Sequence, residues 1–191
     1  MGLLRVVIYG DDRLHTQCEP VEQMTPDLCR LIADMAETMY TASGVGLSAP
    51  QVGVLERLLV LDVDQVDEEG AEKQTKELRR QLRVFINPEV LWTSDEDEPF
   101  VEGCLSIPGV EAEIYRPSRA RVRYRDQEWN EREEEVDGLL ARVLQHEIDH
   151  LNGILFVDRM GFVKRQRVAR QLRRLREERE TICVPAEIGA Q

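Results

Sequence analysis

The string His146-Glu147-Ile148-Asp149-His150 carries the side chains of this 191-residue chain with the plainest capacity for chemistry. On a helix, residues four apart lie one turn above each other, so the two imidazoles can share a metal ion. Glu147, beside the first, can reach a water on that metal and accept its proton. This chemistry needs the helix, and the flanking residues predict one from Asp137 to Gly153. The Asp137 carboxylate suits the N-cap, where it can accept from free backbone N–H groups at the positive end of the dipole. Gly153 can take the left-handed conformation that closes a helix. Between them Leu139, Leu140, Val143, Leu144 and Leu151 recur at three- and four-residue spacing, which predicts one buried side. Titratable groups on so apolar a helix are unfavourable unless something pairs them, and a metal does so economically. A short motif of this kind also arises by chance, and a buried His is more often a hydrogen-bonded core residue. The remaining residues must decide.

Composition bounds the choices. One domain spanning 1–191 is the default at this length, with 42% hydrophobic residues, ordinary for a globular protein. No apolar run is long enough to span a membrane. Met1 to Gly10 holds one Arg and a short apolar run without the length or cleavage site of a signal peptide, so it reads as a first strand or an extended arm. Cys18, Cys29, Cys104 and Cys183 are scattered, with no C-x-x-C pair, which disfavours a disulfide framework and a four-cysteine zinc module and fits a reducing cytoplasm. The formal net charge of −12 disfavours general nucleic-acid binding.

The elements that must position the site follow in order. Thr25 and Pro26 start a helix within Pro20–Tyr40, with Leu28, Leu31, Ile32, Met35 and Met39 as its inner stripe. Residues 43–53, with three glycines and a proline, predict an irregular loop in close contact with something, and match neither a dinucleotide fingerprint nor a P-loop. Arg57 to Val63 predicts a strand buried on both faces, and residues 64–83 a charged surface excursion. Val84 to Pro88 resumes the core and Glu89 to Thr93 continues it, before an acidic turn at Ser94 to Pro99. Cys104, between Gly and Leu, reads by itself as a small buried hydrophobe. Arg119–Arg125 alternates Arg with Ala120, Val122 and Tyr124, a half-exposed strand that turns at 127–130 to pair with Glu131–Val136. Ile154 to Val157 is a short apolar strand or turn. Phe162 to Thr181 predicts a last helix, with stripe Val168, Leu172 and Leu175 and eight basic residues against three acidic, and 182–191 a poorly ordered tail.

Gly44-Val45-Gly46-Leu47-Ser48-Ala49-Pro50-Gln51, Glu102-Gly103-Cys104-Leu105-Ser106 and Gln145-His146-Glu147-Ile148-Asp149-His150-Leu151 occur in this order and at these separations in peptide deformylases. The chain resembles that family over nearly its whole length. The resemblance implies an α+β fold with antiparallel sheets around a central metal-binding helix, flanked by N- and C-terminal helices. It implies removal of the formyl group from the N-formylmethionine of newly made polypeptides. It also implies that Cys104, His146 and His150 hold one divalent metal, that Glu147 is the general base and acid, and that the Gln51 amide and the Leu105 backbone N–H face the oxyanion. Val45, Gly46, Glu102, Gly103, Leu139 and Val143 would lie along the substrate. A thiolate and two imidazoles alone favour zinc; iron(II), with zinc, nickel or cobalt as substitutes, rests on the resemblance. So does docking of the basic last helix on the ribosome, for which a merely solvated face is the alternative.

Three residues depart from the family pattern: Ser48 where Ala is usual, Arg142 at a helix position often apolar and facing the pocket, and Glu111 where several relatives carry Arg. Among H-E-x-x-H zinc peptidases, a metzincin would need a further His where Phe156 stands, and a zinc peptidase leaves Cys104 without a role. A catalytically inactive relative is disfavoured by intact Gln51, Cys104, Glu147 and both histidines. Finally, Glu102 and Arg116 are expected to pair and so fix the Cys104 loop.

Overall fold

In a computed structural model, which describes residues 2–64 and 80–178, two antiparallel sheets lie against a central helix. The strands are β1 Gly46–Ser48, β2 Leu58–Leu61, β3 Arg83–Thr93, β4 Asp97–Glu102, β5 Ala112–Pro117, β6 Arg119–Arg125 and β7 Glu131–Asp137. The helices are α1 Pro26–Thr41, α2 Gly138–Leu151 and α3 Phe162–Glu178. The larger sheet has the order β1-β2-β3-β6-β7, and β4 pairs only with β5. This is the α+β arrangement that the sequence predicts. No helix among the described residues is long and apolar enough to cross a membrane.

Helix α2 starts after Asp137 as expected, but the Asp137 side chain makes no capping bond. Gly153 does adopt a left-handed φ of +72°, and the Ile154 N–H returns to the Asp149 carbonyl at 2.9 Å. The expectation of a single buried side falls short, because every residue from Ala141 to Leu151 is buried. One side packs on β1, β2, β6 and β7. The other meets the β4–β5 hairpin, where Arg142 donates to Ile114 O at 3.1 Å and Gln145 donates to Pro117 O at 2.9 Å. A helix covered on both sides is a rigid platform for whatever it carries.

Thr25 Oγ1 caps α1 by accepting from Leu28 N at 3.1 Å, and Leu28, Ile32, Met35 and Met39 of the expected stripe are buried, whereas Leu31 is only half-buried. The N-terminal segment is an extended arm rather than a strand. Its Val7 N–H donates to Gln51 O at 2.7 Å and its Tyr9 N–H to Ser106 O at 2.8 Å, so the arm staples the glycine-rich segment to the Cys104 loop.

Several expected boundaries shift. Residues 43–53 are not wholly irregular: Gly46–Ser48 pairs with β2, and Ala49–Val52 is a turn of 3-10 helix. Glu89 to Thr93 lies in β3, but Glu89, Leu91 and Trp92 are exposed, so it does not continue the core. The acidic turn ends by Glu96, since Asp97 already opens β4. Strand β5 goes unread in the sequence. Phe156–Asp158 is a single 3-10 turn. Of the expected 64–83 excursion, 65–79 lie outside the described residues, and Arg83 belongs to β3. Residues 179–191, to which the sequence assigns the last turn of the final helix and the tail, and which include Cys183, also lie outside them.

Candidate metal centre

Two segments deliver the donor atoms. His146 and His150 come from α2, and Cys104 from the loop between β4 and β5. Their ligand atoms lie within 4.8 Å of one another, and Cys104 Sγ is 3.2 Å from His150 Nε2. The tautomer of His146 follows from its neighbour. Burial disfavours charge on Glu102, yet bonds from Arg116 and His146 hold its carboxyl well below the usual range, so it is an acceptor only. His146 Nδ1 therefore donates to Glu102 Oε2 at 2.9 Å, which leaves Nε2 for a ligand.

Electrostatically the centre favours a cation. Burial opposes charge on His146, but the Cys104 sulfur and the Glu102 carboxylate raise its pKa to about 10, so Nε2 carries a proton that a metal ion would have to displace. Burial, helped by positive neighbours, pushes His150 well below its ordinary value, so its imidazole stays neutral. A sulfur and two imidazole donors, one pinned and one neutral, are what a tetrahedral metal with an open position requires. The residues fit a divalent metal.

Around this centre the pocket has a volume of about 460 Å³ and includes Val45, Gly46, Gln51, Glu102, Gly103, Cys104, Leu105, Leu139, Val143, His146 and Glu147 in its wall. Thus every residue that the sequence assigns to catalysis, substrate or metal lines this pocket except His150, whose Nε2 is 3.2 Å from Cys104 Sγ. Glu147 is buried, its Oε2 has no partner, and burial raises its pKa despite the His146 charge. A buried carboxylate oxygen without a partner is costly unless it serves a reaction. Gly46 is needed by space: a Cβ there would stand 2.6 Å from Glu147 Oε1 and 2.9 Å from Val143 Cγ1. Gln51 is fixed in orientation, because its Oε1 accepts from Ser48 N and Ser48 Oγ, each at 2.8 Å. Its Nε2 consequently faces Cys104 Sγ at 3.4 Å. The Ser48 hydroxyl is thus turned to Gln51.

The expected Glu102–Arg116 pair is present, two-pronged at 2.6 and 2.9 Å, with Arg116 almost wholly buried. Glu102 itself does not offer its carboxylate to the pocket, since Arg116, Arg142 and His146 take both oxygens. Arg142 is likewise not a free pocket cation: it donates to Glu102 Oε1 at 3.1 Å and to the carbonyls of Glu98 and Ile114. Asp149 and Arg159 escaped notice in the sequence. Asp149 bonds Arg116 at 2.6 Å and Arg159 at 2.5 Å, and its only signal was a carboxylate amid the buried turns of α2.

Known proteins settle what this centre belongs to. The model of the polypeptide deformylase family matches residues 3–166. The chain belongs to that family. The peptide deformylase of Salinibacter ruber is 45% identical over 173 residues, covering 91% of this chain and 88% of the relative. Among solved structures, a peptide deformylase from Legionella pneumophila is 38% identical with a TM-score of 0.78, covering 94% of this chain and 99% of that one. One from Ehrlichia chaffeensis, in complex with actinonin, is 39% identical with a TM-score of 0.79 and covers 93% and 98%. Deformylases are metal-dependent hydrolases that remove the formyl group from N-formylmethionyl peptides, and this chain is an enzyme of that kind.

Proposed function

We propose that Cys104, His146 and His150 hold one divalent ion, natively iron(II) with zinc, nickel or cobalt able to replace it, in a single catalytic domain that works in the cytoplasm. The carrying observation is the convergence of three donor atoms within 4.8 Å beside a buried carboxylate oxygen without a partner. When bound, such an ion supplies a Lewis acid and lowers the pKa of water.

The chain's own residues do the rest. Glu147 accepts the proton of the attacking water at Oε2 and returns it to the leaving amine; a carboxyl raised by burial is suited to both steps. The Gln51 Nε2–H, held toward the centre by Ser48, and the Leu105 backbone N–H donate to the oxyanion as it forms. Val45, Leu139 and Val143 receive the methionine side chain in an apolar wall, while Gly46 and Gly103 let the peptide backbone approach. Glu102 acts at one remove, by orienting His146. The basic face of α3 docks on ribosomal RNA.

Anaerobically purified protein should hydrolyse formyl-Met-Ala-Ser and contain about one divalent ion per chain by elemental analysis of the same sample. Metal-free protein that turns over at the full rate would refute this reading.

A further inference from the structure

His146 is the inner end of an ionic chain that runs through the core to the surface. Its Nδ1 donates to Glu102 Oε2 at 2.9 Å. Arg116 grips Glu102 through Nε at 2.6 Å and Nη2 at 2.9 Å, and reaches Asp149 Oδ2 through Nη1 at 2.6 Å. Arg159 closes the chain, with Nε and Nη2 each 2.5 Å from an oxygen of Asp149. The Glu102, Arg116 and Asp149 side chains are 4%, 1% and 8% exposed, whereas that of Arg159 is 42% exposed.

We propose that Arg159 is a positioning residue for the metal centre, acting on His146 through Asp149, Arg116 and Glu102. This rests on the reading of His146 as a ligand. An arginine fork fixes the plane of a carboxylate as well as its place, which a single bond does not. Arg116 spans the two carboxylates, so its own plane depends on both. If Asp149 loses the Arg159 fork, one of its buried oxygens is left without that partner, and the carboxylate turns to find another. Arg116 turns with it, and the tilt passes to Glu102 and the His146 ring. Arg142, bonded to Glu102 Oε1 at 3.1 Å, limits the excursion without preventing it. Placement supports the role, because Asp149 lies between the two ligand-bearing turns of α2 and Arg159 stands just ahead of α3. The base of α3 is thereby joined to the centre. A surface salt bridge with no such connection would contribute little.

The test compares zinc- and cobalt-loaded full-length protein with its Arg159→Gln and Arg159→Lys variants, at a temperature where circular dichroism finds each folded. Two quantities are read: the rate of metal release to excess chelator, and the visible absorption of the cobalt form. Replacing a direct hydrogen-bond partner of a ligand weakens binding by roughly 10–100-fold, so this more distant change should speed release by roughly 3- to 10-fold. Arg159→Gln should also alter the cobalt spectrum, and Arg159→Lys, which keeps the charge but only one prong, should fall between it and the parent. If the glutamine variant does not fold, the lysine variant decides by the same two readings. Release and spectra matching the parent, with only Tm lowered, would overturn the proposal and leave Arg159 a brace. Failure of the underlying ligand reading would appear separately, as His146→Ala protein that retains metal as firmly as the parent.

Discussion

Cys104 is the residue on which the ligand assignment turns, because the histidine pair alone fits many metal sites. Its sulfur lies within reach of both imidazoles, whereas Cys18 is buried elsewhere, its thiol raised to about 11 chiefly by burial, and Cys29 is exposed on α1. Cys104→Ala should therefore lose most of its metal and nearly all activity, while Cys18→Ala and Cys29→Ala keep both; stoichiometric metal in the Cys104 variant would remove it from the ligand set. Glu147 calls for a different experiment, since its Oε2 is free and it is assigned chemistry rather than binding. Glu147→Gln keeps the shape but cannot take a proton, so metal content should hold while kcat falls by roughly 10²–10⁴. Loss of metal in step with activity would make it a ligand instead. These residues were legible for unequal reasons. The two histidines and Glu147 announce themselves by helical spacing. Cys104 carries no local signal and was found only through the family resemblance. Arg142, Asp149 and Arg159 form contacts 28 or more residues away or across a turn, and no short-range pattern encodes such pairing.

At the scale of elements, the centre depends on how β4, β5 and α2 are bound together. Glu102 ends β4, Arg116 lies on β5, and Arg142 and His146 belong to α2, so a single carboxylate ties all three. Its carboxyl is held below the ordinary range by these partners, against the effect of burial. A depressed carboxyl contributes stability that is full above its unfolded pKa, about 4.3 for Glu, and that is lost as pH falls toward the folded value. Glu102→Gln strands a buried guanidinium and should cost about 3–5 kcal/mol at neutral pH. The gap in Tm between parent and variant should then narrow as the pH drops below about 4, where the parent begins to lose what the variant already lacks. A gap independent of pH would show that Glu102 acts through packing alone. The helices were readable because caps and apolar periodicity are local, as at Thr25 and Gly153. Strands β4 and β5 were not, because Asp97, Glu98, Pro99 and Glu113 obscure any alternation, and β1 was hidden by the glycine that Glu147 requires.

For the whole molecule, the proposed docking on ribosomal RNA has to be squared with a net charge of −12. Helix α3 supplies a local answer. Leu172 and Leu175 are buried and Val168 packs beside them, so the stripe clamps the helix to the N-terminal arm and the Cys104 loop. The opposite face is left to basic residues. They are not equivalent, however. Arg165 pairs with Asp158 at 3.1 Å, and Arg176 lies over the Tyr9 ring at 5.6 Å, so reversing either would disturb the body. Arg167 and Arg170 are exposed, and Arg174 pairs, among the described residues, with Glu178 one turn on. Contacts with several phosphates demand a steep salt dependence, and the acidic body confines such contact to this face. Replacing Arg167, Arg170 and Arg174 together by Glu should leave Tm and deformylation of short peptides close to the parent values, because none of the three touches the pocket. Co-sedimentation with ribosomes at low salt should be lost, and in the parent it should weaken steeply as salt rises. Equal co-sedimentation of the two proteins would reduce α3 to a scaffold that closes the core beneath the Cys104 loop.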